Sequence, residues 1–187
     1  MNHHVYHMVP KNFFGDTLYP LNRLKSINKD IYDAQRAKYE DHPYRQTLPF
    51  RKIPKLNCLW NDVLHFCPVN PKIIYREWVK LGDEISPEIE WFKIPVENLS
   101  SSHVGVFHCR PENWSIEREH ELEDEYSLLN IEDYQERTQL RPETIDWYRS
   151  WIAEKRRGAF FMYIPHILAK GDVNVANATT FKWGEPL

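Results

Sequence analysis

The chain has 187 residues, 42% of them apolar and 14% aromatic, which suits one domain with a substantial core and excludes a disordered or fibrous protein. A net charge of −3 singles out no partner, and no apolar run approaches the ~18 residues of a membrane span. The opening Met1–His7 has no basic region followed by an apolar stretch, and Cys58, Cys67 and Cys109 form no CxxC, so reduced thiols in a cytoplasmic, non-membrane protein are expected.

In chain order, His4–Val9 reads as a strand closed by Pro10. Leu21, Leu24, Ile27 and Ile31 follow helical spacing and predict a helix from Leu21 to Tyr39. A loop punctuated by Pro43, Pro49 and Pro54 follows, and then a buried strand over Leu59–Phe66. Asn70-Pro71 opens a helix whose Ile74, Trp78 and Leu81 share a face and which Gly82 stops. Glu90–Val96 and His103–Cys109 read as strands, and Pro142–Arg157 as a helix with Ile145, Tyr148 and Ile152 inward. Ala159–Ile167 is apolar enough for a central strand, and Val173–Val175 for a short last one. This order of elements predicts an α+β fold, one domain spanning residues 1–187.

Several chemistries are excluded by pattern. No two glycines lie two residues apart, so neither GxGxxG nor GxxxxGK[ST] exists, and no GxSxG or HExxH occurs. His65, Cys67, His108 and Cys109 offer zinc-type ligands, but neighbours on a strand point to opposite faces, so no metal site is assigned. Charge is unevenly spread. Gly82–Glu136 holds 15 acids against three bases, a segment of −12 that leaves +9 for the rest. Four cations and no acid fall in Tyr44–Lys55, interleaved with aromatics, which suits a phosphate-bearing ligand.

Three segments resemble the DarT-like ADP-ribosyltransferase toxins. Asn61–Tyr75, with an apolar strand running into Phe66-Cys67-Pro68-Val69-Asn70-Pro71, is similar to their F-x-P-x-S-P stretch. Val5-Tyr6-His7-Met8-Val9 resembles their opening Y-H-I-T strand, and Arg156-Arg157-Gly158-Ala159-Phe160-Phe161 their R-R-x-A-E-F strand. In this last segment Phe160 stands where the family pattern places its catalytic glutamate; the related tRNA 2′-phosphotransferases work without one. The resemblance implies an ADP-ribosyltransferase-like split, mostly antiparallel β-sheet core flanked by helices. It also implies NAD as substrate, a nucleic-acid or protein acceptor, and a bacterial toxin or effector with a cognate antitoxin. The alternative is a catalytically silent module of the same fold that binds a nucleotide, nucleic acid or partner protein.

The resemblance also supplies roles. It implies that His7 holds the nicotinamide ribose and that Arg51, with Arg45 second, clamps the pyrophosphate. Lys55 and Asn61 join them as cofactor-binding residues, Lys55 from the basic loop and Asn61 beside Trp60. Asp62 would supply the anion missing at Phe160, and His166, a Pro-His at a strand end, would move a proton. His7, Arg51, Asp62 and His166 are expected to converge on one pocket. Arg51 and Lys55 are expected at its mouth, with the acidic run Glu117–Glu125 elsewhere, since anions beside a phosphate site cost affinity.

Overall fold

The opening strand, His4–Met8, buries side chains on both of its faces: Val5 and Tyr6 are each almost fully enclosed. That requires a sheet with cover on each side. The computed structural model describes residues 3–40, 43–113, 121–156 and 158–187 and builds the strand into one of two main sheets. In that sheet, His4–Met8 and Thr179–Lys182 flank Glu90–Pro95. The other has the order Val63–Phe66, His166–Lys170, His103–Phe107, Tyr126–Leu128. Every pairing within both sheets is antiparallel. The fold is α+β, as expected.

The sheets meet edge to edge at one place. Tyr6 and Cys67 exchange a pair of backbone hydrogen bonds, 2.9 and 2.8 Å, as an isolated antiparallel bridge. Beyond that bridge His7 and Met8 pair with Phe92 and Trp91, while Phe66 and His65 pair with Ile167 and Leu168. No further bridge joins these two edges among the described residues, and a cavity lined by His7, Met8, His65 and Phe66 opens between them as a cleft.

Helices close the outer faces. Asn70 caps Pro71–Lys80 by accepting from the Lys72 amide at 3.1 Å, and Gly82, at φ +92°, ends it, as the sequence predicts. Trp78 from this helix and Tyr148 from Pro142–Ala153 pack with Trp91 and Trp183 beneath the three-stranded sheet. The core between the sheets and the N-terminal segments holds Val5, Leu64, Phe66, Ile94 and Ile167, and a third cluster gathers Ile53, Leu56, Phe107, Met162 and Leu168.

Three predicted elements are corrected. The helix over Leu21–Tyr39 is two helices, Leu21–Ile27 and Lys29–Arg36, followed by a 3-10 turn at Ala37–Tyr39. Asn28 breaks it by taking extended dihedrals and capping the second helix through the Ile31 amide, so capping preference overrides periodicity. The strand over Leu59–Phe66 begins only at Val63, because Asp62 Oδ2 accepts from the Leu59 amide at 2.8 Å and curls Trp60–Asp62 into a 3-10 turn. Ala159–Ile167 is mostly a turn, with Ala159 and Tyr163 at φ near +60°, and the strand starts at His166. Its apolar residues are buried by packing rather than by pairing: Phe160 meets Trp78 and Trp183 edge to face at 4.9 and 5.3 Å. Of the other predicted elements, the helix given as Pro142–Arg157 ends at Ala153 and the strand given as His103–Cys109 ends at Phe107.

Candidate functional site

Of the cavities that meet at His7, two also share His65; a more open one beside them is lined by Glu88, Glu90 and Lys182 together with Lys11 and Lys38. The larger of the two that share His65, about 210 Å³, is walled on one side by the turn and helices after the first strand and on the other by Trp60, Asn61, Val63, Leu64 and His65. Lys11, Lys38 and Arg45 line it, whereas no Asp or Glu among the described residues does. The Arg45 guanidinium lies over the Tyr39 ring at 5.7 Å. The smaller cavity, about 150 Å³, sits where the sheets part and is lined by His7, His65 and His166 with Phe66, Trp91 and Phe161 among others.

Hydrogen bonding orients the polar wall of the larger cavity. The Tyr39 hydroxyl donates to Asn61 Oδ1 at 2.8 Å. With its oxygen accepting there, the Asn61 carboxamide keeps its NH₂ end as the remaining donor. Asn61 is only 3% exposed, so this orientation is set by the protein rather than by solvent.

All three cleft histidines are pushed toward the neutral form. Burial lowers His7 and His166 to about 4, each partly opposed by a hydrogen bond to a backbone carbonyl. Burial also lowers His65 to about 3, helped by its neighbour His166, whose ring centre is 6.0 Å away. Removing an imidazolium from water without a carboxylate partner disfavours the charge. At neutral pH the site therefore offers lone pairs and N–H groups, not imidazolium cations. Among the described residues, no three His, Cys, Asp or Glu side chains form a group suited to a metal.

The predicted site residues divide into two groups. His7 lines both cavities, His166 the smaller and Asn61 the larger. Arg51, Lys55 and Asp62 line neither. Arg51 is 1% exposed, 3.2 Å from Glu121 Oε1 and 2.8 Å from Thr47 Oγ1. Lys55 binds Glu123 at 2.7 Å on the surface. The expectation that these cations stand at the cleft mouth, away from the acidic run, is thus overturned for residues 121–125; residues 117–120 of that run lie outside the described residues. The reason is electrostatic. A guanidinium that the fold encloses needs an anion, and the −12 segment supplies it. Asp62 does not reach the cleft either: its oxygens accept from the Leu59 amide and, at 2.7 Å, from Asn22 Nδ2. The convergence of His7, Arg51, Asp62 and His166 reduces to His7 and His166.

Sequence reasoning found no place in the cleft for Tyr39 or Trp60, offered His65 only as a zinc-type ligand, and ranked Arg45 behind Arg51. His65 alternates with buried Leu64 and Phe66, a signal that one polar side chain interrupts an otherwise enclosed strand. No family model, curated protein or solved structure matches this chain.

Proposed function

We propose that the cleft is a nucleotide site, that NAD is its ligand, and that the protein is ADP-ribosyltransferase-like in the split of its two sheets. The observation that carries this reading is the cleft where two antiparallel sheets part after one bridge. It has aromatic walls and three cations, and Glu88 and Glu90 line only the more open cavity beside it. Cations suit a pyrophosphate, the rings of Tyr39 and Trp60 suit a base, and the Asn61 NH₂ suits a carbonyl or ring nitrogen. Arg45, which lines the cavity, and not the enclosed Arg51, is the phosphate clamp in this reading.

Binding without turnover is the form the geometry favours. ADP-ribosyl transfer breaks the nicotinamide–ribose C–N bond, nicotinamide leaving with the bonding pair, and joins an acceptor oxygen or nitrogen to the sugar carbon as its proton passes to a base. The sugar carbon becomes positive on the way, and an anion nearby lowers that barrier. Asp62 is turned away, and Phe160 packs against Trp78 and Trp183 in the core. A silent nucleotide-binding module follows. The transferase reading keeps His7 and His166 as proton acceptors, with nucleic acid or protein as the modified partner.

Calorimetry with NAD and ADP-ribose tests binding, and incubation with labelled NAD plus DNA, RNA or lysate tests transfer. Binding with no label transferred is the expected result. Absence of NAD binding at millimolar concentration overturns the reading.

A further inference from the structure

A cavity apart from the cleft is built on two partly exposed tryptophans. Trp147 and Trp151, one turn apart on Pro142–Ala153, stack with ring centres 4.8 Å apart and planes 25° apart. Tyr163 meets Trp147 edge to face at 6.3 Å. With Pro111, Glu112 and Met162 these rings line a cavity of about 370 Å³. It shares no described residue with the cavities that meet at His7. Its volume falls in the range of small-molecule sites, about 300–1,000 Å³.

Two features set this wall apart from ordinary packing. Ala159 and Tyr163, both on it, hold left-handed dihedrals, φ +59° and +60°, and strained backbone of this kind collects at ligand sites. The indole nitrogens of Trp147 and Trp151 are enclosed and unbonded, so what the two rings turn to the cavity is carbon.

The charge on the lining is negative. Glu112, exposed to solvent, is on it, whereas no Lys, Arg or His among the described residues is. The ring stack already takes a cation from its own chain, since Arg156 Cζ lies 4.8 Å from the centre of the Trp151 ring. Aromatic faces attract cations through the ring quadrupole. A primary ammonium brings three N–H donors, which walls of carbon and sulfur leave unsatisfied once water is gone. A quaternary ammonium has no N–H to satisfy, and its methyl groups suit Pro111, Met162 and the rings.

We propose that this cavity binds a quaternary ammonium cation, held by the rings of Trp147, Trp151 and Tyr163 with Glu112 as its counter-charge. The site is independent of the nucleotide reading.

The test uses the full chain and two ligands of one shape: choline, and 3,3-dimethylbutan-1-ol, in which carbon replaces the charged nitrogen. Both are titrated at pH 7 and followed by ligand-observed NMR. Choline is expected to bind at least about tenfold more tightly than the alcohol. Glu112→Gln should narrow that ratio about two- to fivefold, and Trp147→Leu should erase choline binding while leaving NAD affinity unchanged. Equal binding of the two ligands, no choline binding at about 10 mM, or a ratio unmoved in both variants overturns the proposal. If Trp147→Leu does not fold, Glu112→Gln, at an exposed position, decides. N-acetyl-trimethyllysine amide and its unmethylated form make the second arm. Trimethyllysine binding more tightly than choline supports a cation carried on a protein side chain, and choline binding more tightly supports a free headgroup. Equal binding of the methylated and unmethylated lysines overturns the selection for a quaternary centre.

Discussion

Arg51 and Arg45 lie six positions apart in one basic segment, yet they do opposite work. The sequence suggests a loop there, but the segment folds as a helix, Pro43–Thr47, and a 3-10 turn, Leu48–Phe50. The Arg51–Glu121 pair is enclosed, with side chains 1% and 2% exposed, so deleting one partner strands charge in the interior. Arg51→Ala is expected to lower stability by about 3 kcal/mol in urea unfolding while leaving the NAD affinity of the folded protein unchanged. Arg45→Ala should leave stability nearly intact and weaken NAD binding about tenfold, read by calorimetry. The reverse pattern would return the clamp to Arg51. The histidines make a further prediction at this scale. Their folded values, about 4, 3 and 4, lie below the ordinary 6.5, so the unfolded chain binds more protons as pH falls. Their contribution is complete above pH 6.5 and is lost on acidification toward pH 4. The loss is at most about 1.4 kcal/mol per pH unit for each ring. Urea midpoints measured from pH 7 to pH 5 should fall steadily; a flat profile would mean that the rings titrate normally.

Among the elements, the turn over residues 159–163 shows how burial and secondary structure separate. Its apolar composition is the signature of an enclosed strand, but Ala159 at φ +59° and Tyr163 at φ +60° cannot belong to one. Replacing Ala159 by glycine is expected to raise stability by about 0.5–1 kcal/mol, because only glycine adopts that dihedral without a Cβ penalty. Phe160→Glu, which restores the residue of the resembling toxins, should not create a transferase. It places a carboxylate between Trp78 and Trp183 and should cost at least about 3 kcal/mol in thermal or urea unfolding. Recovery of transfer activity in a folded Phe160→Glu protein would show that the turn can bring this position to the cleft. The elements that the sequence did disclose carry their own local punctuation. Asn70-Pro71 and Gly82 bound one helix by capping and φ alone, and the short strands at Glu90–Pro95 and His103–Phe107 carry enough apolar residues to be read.

For the whole molecule, the decisive contact is the single bridge between Tyr6 and Cys67, which joins two sheets and leaves them free to part. The last strand, Thr179–Lys182, completes the three-stranded sheet, and Gly184 just beyond it is pressed on Pro87 so closely that an added Cβ would lie 2.3 Å from the proline Cβ. Gly184→Ala is therefore expected to lower the melting temperature by several degrees, equivalent to about 1–3 kcal/mol, without altering the far-UV spectrum. Composition, glycine spacing and strand length by themselves determined an α+β chain with a large aromatic core and no dinucleotide fingerprint, because these are properties of local chemistry and count. Which cation faces the cleft, which is enclosed with Glu121, and that His65 joins His7 and His166 in one cavity were decided only by the tertiary structure. Their segments are separated by dozens of residues, and the burial that neutralises the rings and pairs the arginine exists only after the two sheets have come together.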